Sequence, residues 1–224
     1  MALQRSGACV TTAGATARPG LPARRFLGAS ASPPVVRDLR ERAGRSPHSL
    51  LFASGDVVVI SGLPGSGKST LIRRAVRGGG IDSQNTRERW DLRMPRMLPY
   101  AVYRPLVRIA HYAGLRAALR SGAGVIVHDC GTQSWVRHWL ARKARRRGRA
   151  LHLVVLDVAP DVALAGQQER GRGVSGYAFA RHRRAVRRLV RDAERGRLPA
   201  GSASAVLLDR DAATSLTRIG FRGR

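Results

Sequence analysis

Short apolar runs alternate along this chain with longer stretches whose apolar residues recur every three or four positions. Asp56-Val57-Val58-Val59-Ile60, Gly124-Val125-Ile126-Val127-His128-Asp129-Cys130, Ala150-Leu151-His152-Leu153-Val154-Val155-Leu156-Asp157 and Ala205-Val206-Leu207-Leu208-Asp209 are brief and rich in β-branched residues. That pattern predicts strands buried on both faces. Helical spacing continues through Leu71-Ile72-Arg73-Arg74-Ala75-Val76. It returns over residues 98–120, where Val102, Leu106, Ile109, Ala113 and Leu119 form the apolar set and Gly114 marks a break or bend. Further helices are predicted over 135–147, from Pro160-Asp161 onward, and over 177–194. Strand and helix in alternation imply an α/β fold, with a parallel sheet covered by helices on both faces.

The ends of the chain have a different texture. Residues 1 to about 36 are rich in Ala, Gly, Ser, Thr, Pro and Arg, and the first acid is Asp38. We assign 1–45 to a basic, disordered N-terminal extension and 46–224 to one folded domain. An Arg-rich, Ser-rich, acid-poor start also describes an organelle transit peptide, so an untargeted extension and a targeting segment both stay open. Val35-Val36-Arg37-Asp38-Leu39-Arg40-Glu41-Arg42-Ala43 is predicted as a short helix ahead of Ser46-Pro47 and Leu50-Leu51-Phe52, and that helix is expected to lie against the domain edge.

Composition changes this picture only modestly. The formal charge is +27, yet of 41 basic residues all but Lys68 and Lys143 are arginine. A skew of that kind, beside abundant Ala, Gly and Val, fits a compositional bias, so charge supports a nucleic-acid partner only weakly. Cys9 and Cys130 sit in unlike settings and no Cys/His spacing matches a zinc site, which suits a reducing cytoplasmic setting without disulfides. No apolar run approaches the ~18 residues of a membrane span. A monomer is expected.

The chemistry is carried by Gly62-Leu63-Pro64-Gly65-Ser66-Gly67-Lys68-Ser69, followed by Thr70, which satisfies G-x-x-x-x-G-K-[ST] at every fixed position. A strand precedes it and a helix follows, the context in which backbone N–H groups converge on a polyphosphate. Lys68 is expected to reach the β- and γ-phosphates of ATP, and the Ser69 hydroxyl to ligate Mg²⁺.

Ligands bind beyond the carboxyl ends of parallel strands, so acids that close apolar runs become candidates. Asp129 fits the carboxylate that holds Mg²⁺ beside Ser69, whereas Asp157 reads as structural. Arg170 and Arg172, flanked by glycines, suit a mobile lid that closes on the transferring phosphoryl group. Asp82 is the candidate to take or orient the proton of an acceptor hydroxyl, with Arg87 or Arg89 holding an anionic part of that acceptor. His128 and Cys130 flank Asp129 but alternate away from it. Trp135 and Trp139 read as core anchors, with Arg137 between them on the same helix.

Together, the phosphate loop, Asp82, Asp129 and the run from Leu156-Asp157 to Arg170-Gly171-Arg172 resemble the P-loop kinases of the polynucleotide-kinase, zeta-toxin and gluconate-kinase type, often labelled AAA-family ATPases. The resemblance covers about residues 55–215. It implies a P-loop NTPase fold with a five-stranded parallel sheet and a small arginine-bearing lid, and transfer of the γ-phosphoryl group of Mg·ATP to a hydroxyl. By that similarity Asp82 matches the acceptor-activating aspartate, Arg170 the lid arginine, and Arg210 a residue that contacts adenine. The third position after Asp82 is Asn85, where polynucleotide-kinase relatives commonly carry arginine. An N-K-x-D signature and an L-S-G-G-Q segment are both missing, which sets aside guanine-nucleotide switches and transporter ATPases. The expected activity is therefore an ATP-dependent phosphotransferase acting on a small-molecule or nucleic-acid hydroxyl. The rival is a nucleotide-binding switch that presents its basic helices to a partner.

Overall fold

The computed structural model describes residues 35–42, 44–76, 100–129, 133–169 and 173–222, with the side chains of 100–105 and 108 left out of the description. Among the described residues seven strands appear: β1 Val35–Asp38, β2 Ser49–Phe52, β3 Val57–Gly62, β4 Val125–His128, β5 Leu151–Leu156, β6 Ser202–Leu208 and β7 Arg218–Phe221. The helices are α1 Lys68–Ala75, α2 Tyr100–Arg120, α3 Ser134–Arg145, α4 Pro160–Gln168, α5 Gly176–Glu194 and α6 Arg210–Ser215.

Five strands form one sheet in the order β1-β6-β5-β3-β4, every neighbouring pair parallel. All six residues of β3 are buried, because both faces of the central strand are covered. Alternation sorts its side chains. Val57 and Val59 pack with Leu115 of α2, Leu140 of α3 and Val186 and Val190 of α5, while Val58 and Ile60 pack with Leu71 and Ile72 of α1 and Ala212 of α6. The chain leaves β3 for β4 on one side and then crosses back to β5 on the other. Strand order thus reverses at β3, and the crevice beyond its carboxyl end is where an open α/β sheet holds ligand.

Two local expectations change, and a further strand is added. Val35–Asp38 is not helical: it pairs with β6 from Val35↔Ser204 to Asp38↔Leu207, and Leu39 is buried. Long-range pairing of two β-branched residues with a sheet edge outweighs the local helical pattern, and the folded part consequently includes residues assigned above to the 1–45 extension. Leu50-Leu51-Phe52 belongs to β2, which pairs in parallel with β7 as a separate two-stranded sheet. Gly114 does not interrupt α2, which runs unbroken from Tyr100 to Arg120. An exposed glycine in a helix costs about 1 kcal/mol relative to alanine, too little to divide a helix anchored by Leu115 and Leu119.

Candidate functional site

The phosphate loop begins where β3 ends. Gly67 caps the N-terminus of α1 with φ 92, and Gly65 has φ 86, both in the left-handed region where a Cβ is disfavoured. Gly65 is restricted a second time, since a Cβ there would overlap the carbonyl oxygen of Ala163 in α4. Reciprocally, a Cβ at Gly166 would come within 2.6 Å of the Gly65 carbonyl oxygen. Helix α4 is thus pressed directly onto the loop, and the buried Gln167 amide donates to the Pro64 carbonyl at 3.2 Å.

Lys68 is 4% exposed, and its Nζ donates to the carbonyls of Gly62 at 2.9 Å and Leu63 at 2.6 Å. A buried ammonium is tolerated only when its protons are taken up, and here the loop's own backbone does so. The Ser66 Oγ is buried with no hydrogen-bond partner among the described residues. A donor of this kind inside a glycine cradle is what a bound oxyanion would satisfy.

One residue beyond β4, the Asp129 amide donates to the Ile60 carbonyl at 2.8 Å, which fixes it beside the end of β3. Its carboxylate is 8% exposed and accepts a 2.8 Å bond from Nη1 of Arg137, itself 7% exposed. Sequence reasoning named Arg137 without giving it a role. The available signal was an arginine on the inward face of an otherwise apolar helix stripe, Val136, Leu140 and Ala144. Trp135 departs from the expected core position, being 54% exposed, and Tyr112 leans against its ring at 5.5 Å between centroids. Asp157, expected to be structural, accepts from Nη1 of Arg40 at 2.6 Å.

A cavity of about 350 Å³ opens along the loop, between Gly65, Ser66 and Thr70 on one wall and Gly166, Glu169 and Arg210 on the others. Arg210, separated from the loop by more than a hundred residues, therefore borders the same space. Asp209, immediately before it, caps α6 by accepting from the Ala212 amide at 2.7 Å. Asp82, Arg87, Arg89, Cys130, Arg170 and Arg172 lie outside the described residues.

The family model described as AAA domain matches residues 57–196, more than half of the chain. The chain belongs to the AAA domain family. The match begins with β3 and the phosphate loop and continues through α5. No curated protein matches the sequence. Among solved structures, this AAA domain is similar to one of the PezAT chromosomal toxin-antitoxin system of Streptococcus pneumoniae. There the TM-score is 0.55 at 15% identity, over 73% of this chain and 72% of that one. A candidate kinase from Chloroflexus aurantiacus gives 0.47 at 15% identity, over 69% and 84% of the two chains. A tunicamycin resistance protein from Deinococcus radiodurans gives 0.38 at 16%, over 57% and 78%. The fold of this AAA domain is P-loop kinase-like.

The residues present fit a nucleoside triphosphate and Mg²⁺. The glycine cradle, the unpartnered Ser66 hydroxyl and the inward Lys68 suit a polyphosphate. The hard oxygen donors of Ser69 and Asp129 suit Mg²⁺.

Proposed function

We propose that this protein is an ATP-dependent phosphotransferase that moves the γ-phosphoryl group to the hydroxyl of a small molecule or nucleic acid. The observation that carries the reading is Lys68, buried in the glycine loop and bonded to its Gly62 and Leu63 carbonyls, beside a cavity bordered by Arg210.

Phosphoryl transfer asks little covalent chemistry of the protein; it requires alignment and charge neutralisation. In this reading the loop from Gly62 to Thr70 holds the phosphates and Lys68 meets charge on the β- and γ-groups. Arg210 borders the base. Ser69 and Asp129 would hold Mg²⁺, which neutralises charge on the transferring group. Asp82 would accept or orient the proton of the acceptor hydroxyl, and Arg170 and Arg172 would close over the phosphates and exclude water.

Calorimetry with Mg·ATP, followed by labelling of a pooled library of metabolites and 5′-hydroxyl oligonucleotides with γ-labelled ATP, tests this reading. The parent should bind and label an acceptor, and Lys68→Ala should weaken binding by roughly tenfold or more, about 1.4 kcal/mol. No heat with Mg·ATP, and no difference between Lys68→Ala and the parent, would overturn it.

The second reading, a nucleotide-dependent switch, is favoured by one observation. Arg181, Arg183, Arg184, Arg187, Arg188 and Arg191 are all exposed, while Phe179, His182, Val186, Leu189, Val190 and Ala193 are buried. At 100° per residue the six arginines fill one arc of about 160° of the helix surface. Asp82→Asn separates the readings: a kinase keeps ATP affinity and loses transfer, whereas a switch is indifferent.

A further inference from the structure

A second cavity of about 350 Å³ lies across the carboxyl end of β5 from the first, and Val158 contributes to the walls of both. Leu63, whose carbonyl receives the Lys68 ammonium at 2.6 Å, also lines it, so it adjoins the phosphate loop from the side opposite the nucleotide cavity. Pro160 and Val186 add apolar wall. The charged wall is formed by Arg183 and Arg187 of α5, together with Asp157.

The charges in this wall do not cancel. Two guanidiniums stand against one carboxylate, Asp157, which also accepts from Arg40 at 2.6 Å, and neither Arg183 nor Arg187 makes an ion pair among the described residues. One turn apart on the same helix, the two guanidiniums repel each other, a cost that a bound oxyanion would relieve. Within the basic arc of α5 they are the pair nearest its buried stripe, which is why they border the cavity while Arg184 and Arg188 do not. Apolar walls lower the local dielectric and strengthen a charge-assisted bond to a phosphate or carboxylate.

We infer that this cavity is the acceptor pocket and that the acceptor is a hydroxyl compound carrying a phosphate or carboxylate, clamped by Arg183 and Arg187. The inference rests on the phosphotransferase reading and gives it a substrate class. With the anion held there, the acceptor lies beside Leu63 and the loop lysine. Its hydroxyl oxygen bonds to the γ-phosphorus as the bond from that phosphorus to ADP breaks, and the hydroxyl proton is released.

Three labelling pools with γ-labelled ATP test the inference: sugar and nucleoside monophosphates, hydroxy acids, and neutral sugars and nucleosides. Label should enter one or both anionic pools, which also tells a phosphate from a carboxylate. The double variant Arg183→Gln/Arg187→Gln should raise the acceptor KM at least tenfold while leaving the Mg·ATP Kd within twofold of the parent. Arg184→Gln/Arg188→Gln removes the same charge from the outer arc and should leave the acceptor KM unchanged. Label confined to the neutral pool, or equal effects of the two double variants, would overturn the inference while leaving a kinase in place. No label from the parent in any of these pools or in 5′-hydroxyl oligonucleotides would overturn the kinase reading and this inference together.

Discussion

Asp129 and Arg137 form a buried ion pair at the place where the sheet delivers a carboxylate to the phosphate loop. A buried pair adds little over an apolar pair of the same shape, but a partner left alone is costly. Arg137→Met should therefore lower stability by about 3–5 kcal/mol, read by chemical denaturation, because the buried Asp129 carboxyl would lose the guanidinium that bonds it. The paired change Arg137→Met/Asp129→Leu should recover much of that loss. Gly65→Ala makes a different residue-scale test. Positive φ and the Ala163 carbonyl both oppose a methyl group there, so α4 must withdraw from the loop. Mg·ATP affinity should fall at least roughly tenfold, measured by calorimetry.

At the scale of elements, the N-terminal strand carries the clearest prediction. Removal of residues 1–34 should leave thermal unfolding unchanged. Removal of 1–45 takes away β1, uncovers the edge of β6 and deletes the Arg40 contacts to Asp157 and Glu194, so the melting temperature should drop by several degrees. Equal melting of the two truncations would show that β1 contributes nothing to the sheet. The strands from β3 to β6 and the loop were readable because their apolar runs and glycine spacing are local signals. β1 was not, since four residues of ordinary propensity become a strand only through β6, and Val36 alone among them is even partly buried. The ion pair at Asp129 was illegible for a related reason: the eight residues to Arg137 reveal nothing until α3 is docked. Arg210 entered by resemblance, and the close approach of Gly65 to Gly166 lies a hundred residues apart in sequence, beyond any motif's reach.

For the whole molecule, a single guanidinium joins the carboxylate two residues before it to carboxylates from two distant segments. Arg40 bonds Asp38 at 2.6 Å, Asp157 at 2.6 Å and Glu194 at 2.8 Å, and this holds the Asp38 carboxyl below its ordinary value, chiefly through the side-chain hydrogen bond. A depressed folded pKa contributes stability above the unfolded value of about 3.9, and that stability is lost as pH falls through the folded value. Acid unfolding followed by circular dichroism should thus begin at higher pH in Arg40→Gln than in the parent. Exposure of Asp38 keeps the effect modest.

Immediately after Arg40, Glu41 takes a left-handed backbone conformation, φ 56, and donates its amide to Asp209 at 2.7 Å, the same carboxylate that caps α6 and precedes Arg210. A pull on the polypeptide ahead of Val35 would be transmitted through that junction to the wall of the nucleotide cavity. Tethering the protein by its leading segment should consequently alter how long a nucleotide stays bound.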